Sequence, residues 1–328
     1  MMKKILIIRF SSIGDIVLTS PVIRCLKKQL PSAEIHYATG KSFATIVETN
    51  PYVDKLHLLD KDLSAFIQVL KKEDFDYIID LHHNIRSARI KWALKKPSSS
   101  FPKLNIEKWI YVRFKWNRMP NLHIVDRYME TVKTLGIKND GNGLDYFIPG
   151  HDHVDLAKLP FQKYIGLVIG AAHTTKRLPI HKLMELINKL EHPIIVLGSK
   201  DDKAVGEKLA ALAPDRIFNA CGAYNLNQSA SLVKQAALII THDTGLMHIA
   251  AAFEKPILSV WGNTVSDFGM YPYLTNRDKI EVRAEVKGLS CRPCSKIGFK
   301  SCPKGHFNCM EKQDIMEIVK RATEILSK

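Results

Sequence analysis

The stretch Lys4-Ile5-Leu6-Ile7-Ile8-Arg9-Phe10-Ser11-Ser12-Ile13-Gly14-Asp15 sets the architecture of the chain. Four consecutive branched apolar residues between Lys4 and Arg9 read as a strand buried on both faces, which is the pattern of a parallel sheet. The same run is too short for the hydrophobic region of an export signal, so the chain is expected in the cytoplasm, where its cysteines stay reduced. The small residues after Phe10, ending in Gly14 and Asp15, mark a loop between a strand and a helix. An α/β fold places its ligands in such loops, at the carboxyl ends of strands.

The alternation continues outward from this stretch. Strands are predicted at 35–38, 55–59 and 77–81, separated by amphipathic helices around 17–30, 43–49 and 63–72. The rhythm breaks over 86–118 and resumes in a helix at 125–135. A turn-rich segment with Gly141, Gly143, Pro149 and Gly150 follows, and a linker is placed near 148–160. A second series has strands at 164–169, 193–197, 217–220, 237–241 and 256–260, with helices near 180–190, 201–212, 226–235 and 245–253. A last amphipathic helix is predicted at 312–326. The expected architecture is therefore α/β: two Rossmann-like, doubly wound parallel-sheet domains facing each other across an interdomain cleft. Their bounds are set at 1–155 and 156–310, followed by a closing helix at 311–328.

Composition narrows the class of partner. The 328 residues include 46% hydrophobic and 25% charged side chains, the balance of a globular protein, and no apolar run approaches the roughly 20 residues of a membrane span. Lys and Arg number 48 against 33 Asp and Glu, a net charge of +15 that favours an anionic partner. The charge is local. Ten basic residues (Arg86, Arg89, Lys91, Lys95, Lys96, Lys103, Lys108, Arg113, Lys115, Arg118) face one acid, Glu107, within 86–118, and three of the four tryptophans are interleaved with them. A membrane-interface or nucleic-acid surface uses this mixture; so does a solvated face laid over core aromatics.

Three loops carry candidate chemistry. Asp15 is either a first-turn acid favoured by the helix dipole or a general base, with small residues such as Ser12 and Gly14 allowing close approach of a ligand. At the carboxyl end of a second-domain strand, Asp243-Thr244-Gly245-Leu246-Met247-His248 turns into a helix whose backbone N–H groups suit an anion; a plain helix cap explains it equally well. In the third, Thr174, Thr175 and Lys176 offer hydroxyls and a cation to a diphosphate, or form a solvated turn. Separately, Cys291, Cys294, Cys302 and Cys309 fall within 19 residues, with His306 nearby. One C-x-x-C resembles a zinc or iron knuckle, and the second pair is more widely spaced than in a standard ribbon, which leaves free thiols as the other reading.

Taken in order, Arg9-Phe10-Ser11-Ser12-Ile13-Gly14-Asp15, Asp80-Leu81-His82-His83-Asn84-Ile85-Arg86, His123-Ile124-Val125-Asp126-Arg127, Lys176-Arg177-Leu178-Pro179 and Asp243 to His248 resemble glycosyltransferase family 9, the lipopolysaccharide heptosyltransferases. The resemblance covers nearly the whole chain. It implies a GT-B fold and inverting, metal-independent transfer of heptose from ADP-heptose to the lipid A-linked inner core. It also implies that Asp15 is the general base, that Lys176 contacts the donor, and that Asp243, Thr244, Gly245 and His248 hold its diphosphate and sugar.

Under this reading Ser12, Gly14, Arg86, Arg89, Lys95 and Lys96 face a phosphorylated lipid A-core acceptor, and the basic patch makes peripheral contact with the anionic inner face of the inner membrane. No cofactor is expected for catalysis, while Cys291, Cys294, Cys302 and Cys309 are candidate ligands of a structural Zn or Fe. No nucleic-acid partner is expected. Two rivals predict different behaviour. A GT-B transferase for another nucleotide sugar or acceptor would leave ADP-heptose unused, and a nucleic-acid-binding protein built on 86–118 would bind RNA or DNA in a salt-sensitive way that survives Asp15→Ala.

Overall fold

The computed structural model describes residues 4–276 and 281–327. The chain divides into two compact units, Met1–Lys103 with Leu122–Phe147, and Leu104–Asn121 with Ile148–Lys328.

The first unit runs β1 (Lys4–Ile8), α1 (Ile13–Val17), α2 (Ser20–Gln29), β2 (Glu34–Gly40), β3 (Lys55–Leu59), α3 (Leu63–Lys71), β4 (Tyr77–Asp80), α4 (Ile85–Leu94) and β5 (Ser98–Ser100). Its sheet has the order β3-β2-β1-β4-β5, with every pairing parallel. Ile5 to Ile8 of the central strand are fully buried, each contributing about 1.5–3 kcal/mol by leaving water. Beyond α5 (Asn105–Phe114), which belongs to the other unit, α6 (Ile124–Met129) returns to this one. The turn-rich segment is anchored rather than loose. Arg24 of α2, almost fully buried, binds the Asp140 carboxylate at 2.8 and 2.9 Å, the Gly143 carbonyl, and Asp145. These partners hold its guanidinium charged despite burial.

The second unit contains β6 (Ile165–Val168), α7 (Ile180–Lys189), β7 (Ile194–Leu197), α8 (Lys203–Ala210), β8 (Ile217–Asn219), α9 (Leu226–Gln235), β9 (Leu238–His242), α10 (Gly245–Ala252), β10 (Ile257–Trp261) and β11 (Glu281–Glu285). The sheet order is β11-β10-β9-β6-β7-β8, again parallel throughout. After the short α12 (Asn308–Glu311), α13 (Ile315–Leu326) buries Ile315, Ile318 and Ala322 in the core shared with α7. Its N-cap Asp314 accepts from the Glu317 N–H at 3.0 Å.

Two differences from the predicted organisation concern 86–118. The stretch is not irregular: it folds as α4, β5 and α5. It is also divided, because residues 104–121 join the second unit. The reason is local bonding. Tyr111 donates to Asp267 at 2.8 Å and packs edge-on against Phe268, and the Lys115 ammonium donates to the Pro293 carbonyl at 2.7 Å. Strand β5, three serines with no apolar signal, is defined only by its pairing with β4. No helix among the described residues is long and apolar enough to cross a membrane.

Candidate active site

In the first unit the chain leaves β1 at Ile8 and forms the loop that sequence reasoning singled out. Arg9 is nearly buried and makes three bonds there. Its Nε donates to the Ser11 carbonyl at 2.8 Å, Nη1 to the Leu81 carbonyl at 2.5 Å, and Nη2 lies 2.7 Å from Asp15 Oδ1. The Ser12 hydroxyl donates to Asp15 Oδ2 at 2.7 Å, and the Ser12 N–H approaches the same oxygen at 3.2 Å. Asp15 is thus both the first-turn acid of α1 and an oriented carboxylate with about a fifth of its side chain open to solvent. Burial is offset for Arg9 by this carboxylate, which holds its guanidinium charged.

The loop is braced by β2 and β4. The Gly40 N–H donates to the Phe10 carbonyl at 3.1 Å, and a Cβ at Gly40 would come within 2.9 Å of that oxygen, so only glycine permits the approach. Asp80, fully buried at the end of β4, accepts from the N–H groups of His82 and His83 and from the Ser87 hydroxyl, and pairs with Lys91 at 3.0 Å. It thereby fixes the start of α4 and the position of Arg86, whose guanidinium lies 5.3 Å from the Phe10 ring centre. A cavity of about 470 Å³ opens beside the loop, with Ser11, Lys41, Ser42, Phe43 and Arg86 among its lining residues.

Of the predicted acceptor residues, Ser12 and Arg86 come to this loop, while Gly14 is buried inside α1. Arg89 is exposed one turn further along α4. Lys95 and Lys96 lie past the other end of that ten-residue helix, about 15 Å from its start. Lys96 pairs there with Asp74 at 2.7 Å.

In the second unit, β9 ends in His242 and the chain turns through Asp243 and the N-cap Thr244 into α10, so the first N–H groups of that helix face outward from the sheet's carboxyl edge. Lys176 Nζ lies 2.6 Å from Asp243 Oδ2, which also accepts from the Thr264 hydroxyl at 3.1 Å. His248 is buried one turn into the helix. His242 is buried as well and accepts from the Leu178 N–H at 3.0 Å; burial and then Arg177 push its imidazole down to about 4. Thr174 is exposed. Thr175 is not: its hydroxyl accepts from the Phe299 N–H at 2.8 Å and donates to the Phe299 carbonyl at 3.1 Å, which ties this loop to the cysteine segment.

The cysteines lie in neighbouring turns. Cys294 Sγ is 3.0 Å from the Cys291 carbonyl, and Cys291 Sγ is 3.9 Å from His306 Nε2. Burial pushes the Cys294 thiol up to about 11 and that of Cys309 to about 12, with the adjacent thiols adding to both. Among the described residues, three of these sulfurs do not come within 4.8 Å of one another.

Sequence reasoning missed Arg9 as the partner of Asp15, Lys41 and Phe43 as cavity walls, and Thr264 as a second hold on Asp243. Arg9 alone left a signal, a cation set directly at the end of a fully buried strand. The other three depend on chain crossings that no local pattern encodes.

Comparison with known proteins gives the family. The chain is 26% identical to lipopolysaccharide heptosyltransferase 1 of Campylobacter coli over 97% of its own length and 98% of the relative's. It is 25% identical to lipopolysaccharide heptosyltransferase 1 of Pseudomonas aeruginosa, over 91% and 87%. Among solved structures it resembles a family 9 glycosyl transferase from Veillonella parvula, with a TM-score of 0.77, 20% identity and coverage of 99% and 97%. It also resembles the E. coli heptosyltransferase WaaC with ADP, at a TM-score of 0.71, 19% identity and coverage of 98% and 99%. Its two parallel-sheet units are those of the GT-B fold. Residues 63–297 match the model of glycosyltransferase family 9 (heptosyltransferase), and the chain belongs to that family as a glycosyltransferase.

Proposed function

We propose that this chain transfers a heptose from ADP-heptose to the lipid A-linked inner core of lipopolysaccharide, inverting the anomeric carbon. Family membership and the names of the relatives support a heptosyl group and a lipopolysaccharide acceptor, and the similar heptosyltransferase solved with ADP supports the nucleotide. The observation that carries the chemistry is the Asp15 carboxylate held between Arg9 and Ser12 at the carboxyl end of β1.

Each oxygen of an ionised carboxylate accepts more than one hydrogen bond, and in this reading the acceptor hydroxyl donates to Asp15 alongside Arg9 and Ser12. As that hydroxyl oxygen bonds to the anomeric carbon, its proton passes to Asp15. The bond from the anomeric carbon to the phosphate oxygen breaks, and ADP leaves with the electron pair. In this reading Lys176 and the backbone N–H groups at the start of α10 hold the diphosphate charge, with no catalytic metal. Asp243 orients Lys176, and Gly245 and His248 complete the donor loop. Thr174 is the exposed hydroxyl of that loop, and Thr175 acts by positioning it. Ser11, Lys41 and Arg86 serve the acceptor as lining residues of the cavity beside the Ser11–Asp15 loop.

Contact with the anionic inner face of the inner membrane is assigned to α5 and the residues after it. Ile106, Trp109, Phe114 and Trp116 are all more than half exposed there, among Lys108, Arg113, Lys115 and Arg118. For the cysteines, a structural Zn or Fe fits the thiol donor set, provided that the sulfurs close up and lose their protons. Metal analysis of the purified protein tests that assignment. An ADP-release assay with ADP-heptose and lipid A-core acceptors tests the function; turnover with a different nucleotide sugar and none with ADP-heptose overturns it.

A further inference from the structure

The first unit holds a second cluster of chemically capable side chains, away from the Ser11–Asp15 loop. His36 of β2 and His57 of β3 lie on the same sheet face, as the parallel register pairs His36 with Lys55 and Ala38 with His57. Both imidazoles are buried, stacked at 5.1 Å between ring centres, and His36 Nδ1 faces His57 Nε2 at 2.9 Å. Phe75 closes the apolar side, edge-on to both rings. Glu73, from the turn before β4, completes the group: one nitrogen of each imidazole and one Glu73 oxygen lie within 4.8 Å of one another. His36 Nε2 is buried without a hydrogen-bond partner, with Glu34 Oε1 3.5 Å away.

We propose that His36, His57 and Glu73 form a structural site for a divalent metal of the zinc class. This inference goes beyond the glycosyl-transfer reading and does not depend on it. Two imidazole nitrogens on one tetrahedral zinc stand about 3.3 Å apart, given Zn–N bonds of roughly 2.0–2.1 Å, so the existing pair needs to open by only a few tenths of an ångström. Glu34 supplies the outer hold. A metal-bound imidazole commonly presents its other N–H to a carboxylate, and a proton on His36 Nε2 directed at Glu34 leaves Nδ1 bare for the metal. His57 becomes a ligand by moving its proton from Nε2 to Nδ1, so two neutral imidazoles bind with no net proton release.

The competing charges are Lys55, 2.6 Å from Glu73, and Lys4, 3.6 Å from Glu73 and 3.7 Å from Glu34. Both lysines are partly exposed and can turn to solvent as the metal replaces them. The metal would then tie β2, β3 and the turn after α3 at one point.

Zn2+ titration of the full-length protein by calorimetry, paired with Co2+ spectroscopy, tests the site. The Cys291→Ser/Cys294→Ser chain separates it from the thiols. That chain is expected to bind one Zn2+, to melt at a higher temperature with it, and to give Co2+ bands without sulfur charge transfer. Glu73→Gln, at a partly exposed position, is expected to weaken binding at least tenfold, and His57→Phe, which keeps a ring against Phe75, to abolish it. Lys55→Gln should tighten binding by removing a competitor. Absence of a bound Zn2+ in the Cys291→Ser/Cys294→Ser chain, or unchanged affinity in folded Glu73→Gln and His57→Phe, overturns the proposal. Because none of these readouts involves sugar transfer, failure here and failure of the glycosyltransferase reading are distinguishable.

Discussion

Arg9 Nη2 stands 2.7 Å from Asp15 Oδ1, with the guanidinium anchored on two backbone carbonyls and nearly removed from solvent. The strand end therefore delivers a fixed cation to the carboxylate that begins α1. This pairing holds the carboxylate in one orientation before any substrate arrives.

Asp15→Ala is expected to lower turnover by about 10²- to 10⁴-fold, the usual contribution of a general base, while ADP binding persists. Comparison of ADP release with ADP calorimetry checks this. Unchanged turnover removes Asp15 from the mechanism.

Arg9→Lys keeps the charge but loses the planar fork that reaches Asp15 and two carbonyls together. Its kcat should fall by about tenfold or more with the donor KM unchanged, which steady-state kinetics measures. A parallel rise in donor KM would instead mean that the unit as a whole is perturbed.

Lys176→Met should raise the donor KM by at least tenfold. Because Asp243 holds Lys176 at 2.6 Å, Asp243→Asn should cost much of the same binding, and the double variant should cost less than the sum. Full additivity in a double-mutant cycle argues that the two side chains act separately.

Arg86→Glu should raise the acceptor KM with little effect on donor binding, since Arg86 lines the cavity beside Ser11. Lys96→Glu should do neither, as Lys96 pairs with Asp74 at the far end of α4. Equal effects from the two substitutions would return the basic stretch to the status of a diffuse charged face.

Acid should destabilise both units before most carboxylates titrate. Burial pushes His82 down to about 4, with Arg9 adding to it, and His242 to about 4, with Arg177 adding to it. Each is neutral when folded and takes up a proton on unfolding at about pH 6.5. Stability is therefore whole above that pH and is lost as pH falls toward about 4, by about 1.4 kcal/mol per pH unit for each group. Urea denaturation at stepped pH reads the slope, and His242→Gln should flatten it.

By itself the sequence determined the parallel α/β class, nine of the eleven described strands and the loops that carry the candidate residues Asp15, Lys176 and Asp243, but neither β5 nor β11. These are local signals: Ile5 to Ile8 form a buried apolar run, and the site residues follow strand ends, where connectivity leaves few alternatives. Tertiary structure alone decided three other matters. Strand β5 has only serines, so pairing with β4 rather than composition makes it a strand. Residues 104–121 join the second unit through Tyr111–Asp267 and Lys115–Pro293, contacts more than 150 residues apart. The partners of Asp80 and the meeting of His36 with Glu73 depend on turns that bring distant residues together, and hydrophobic periodicity does not record which polar groups a turn will make neighbours.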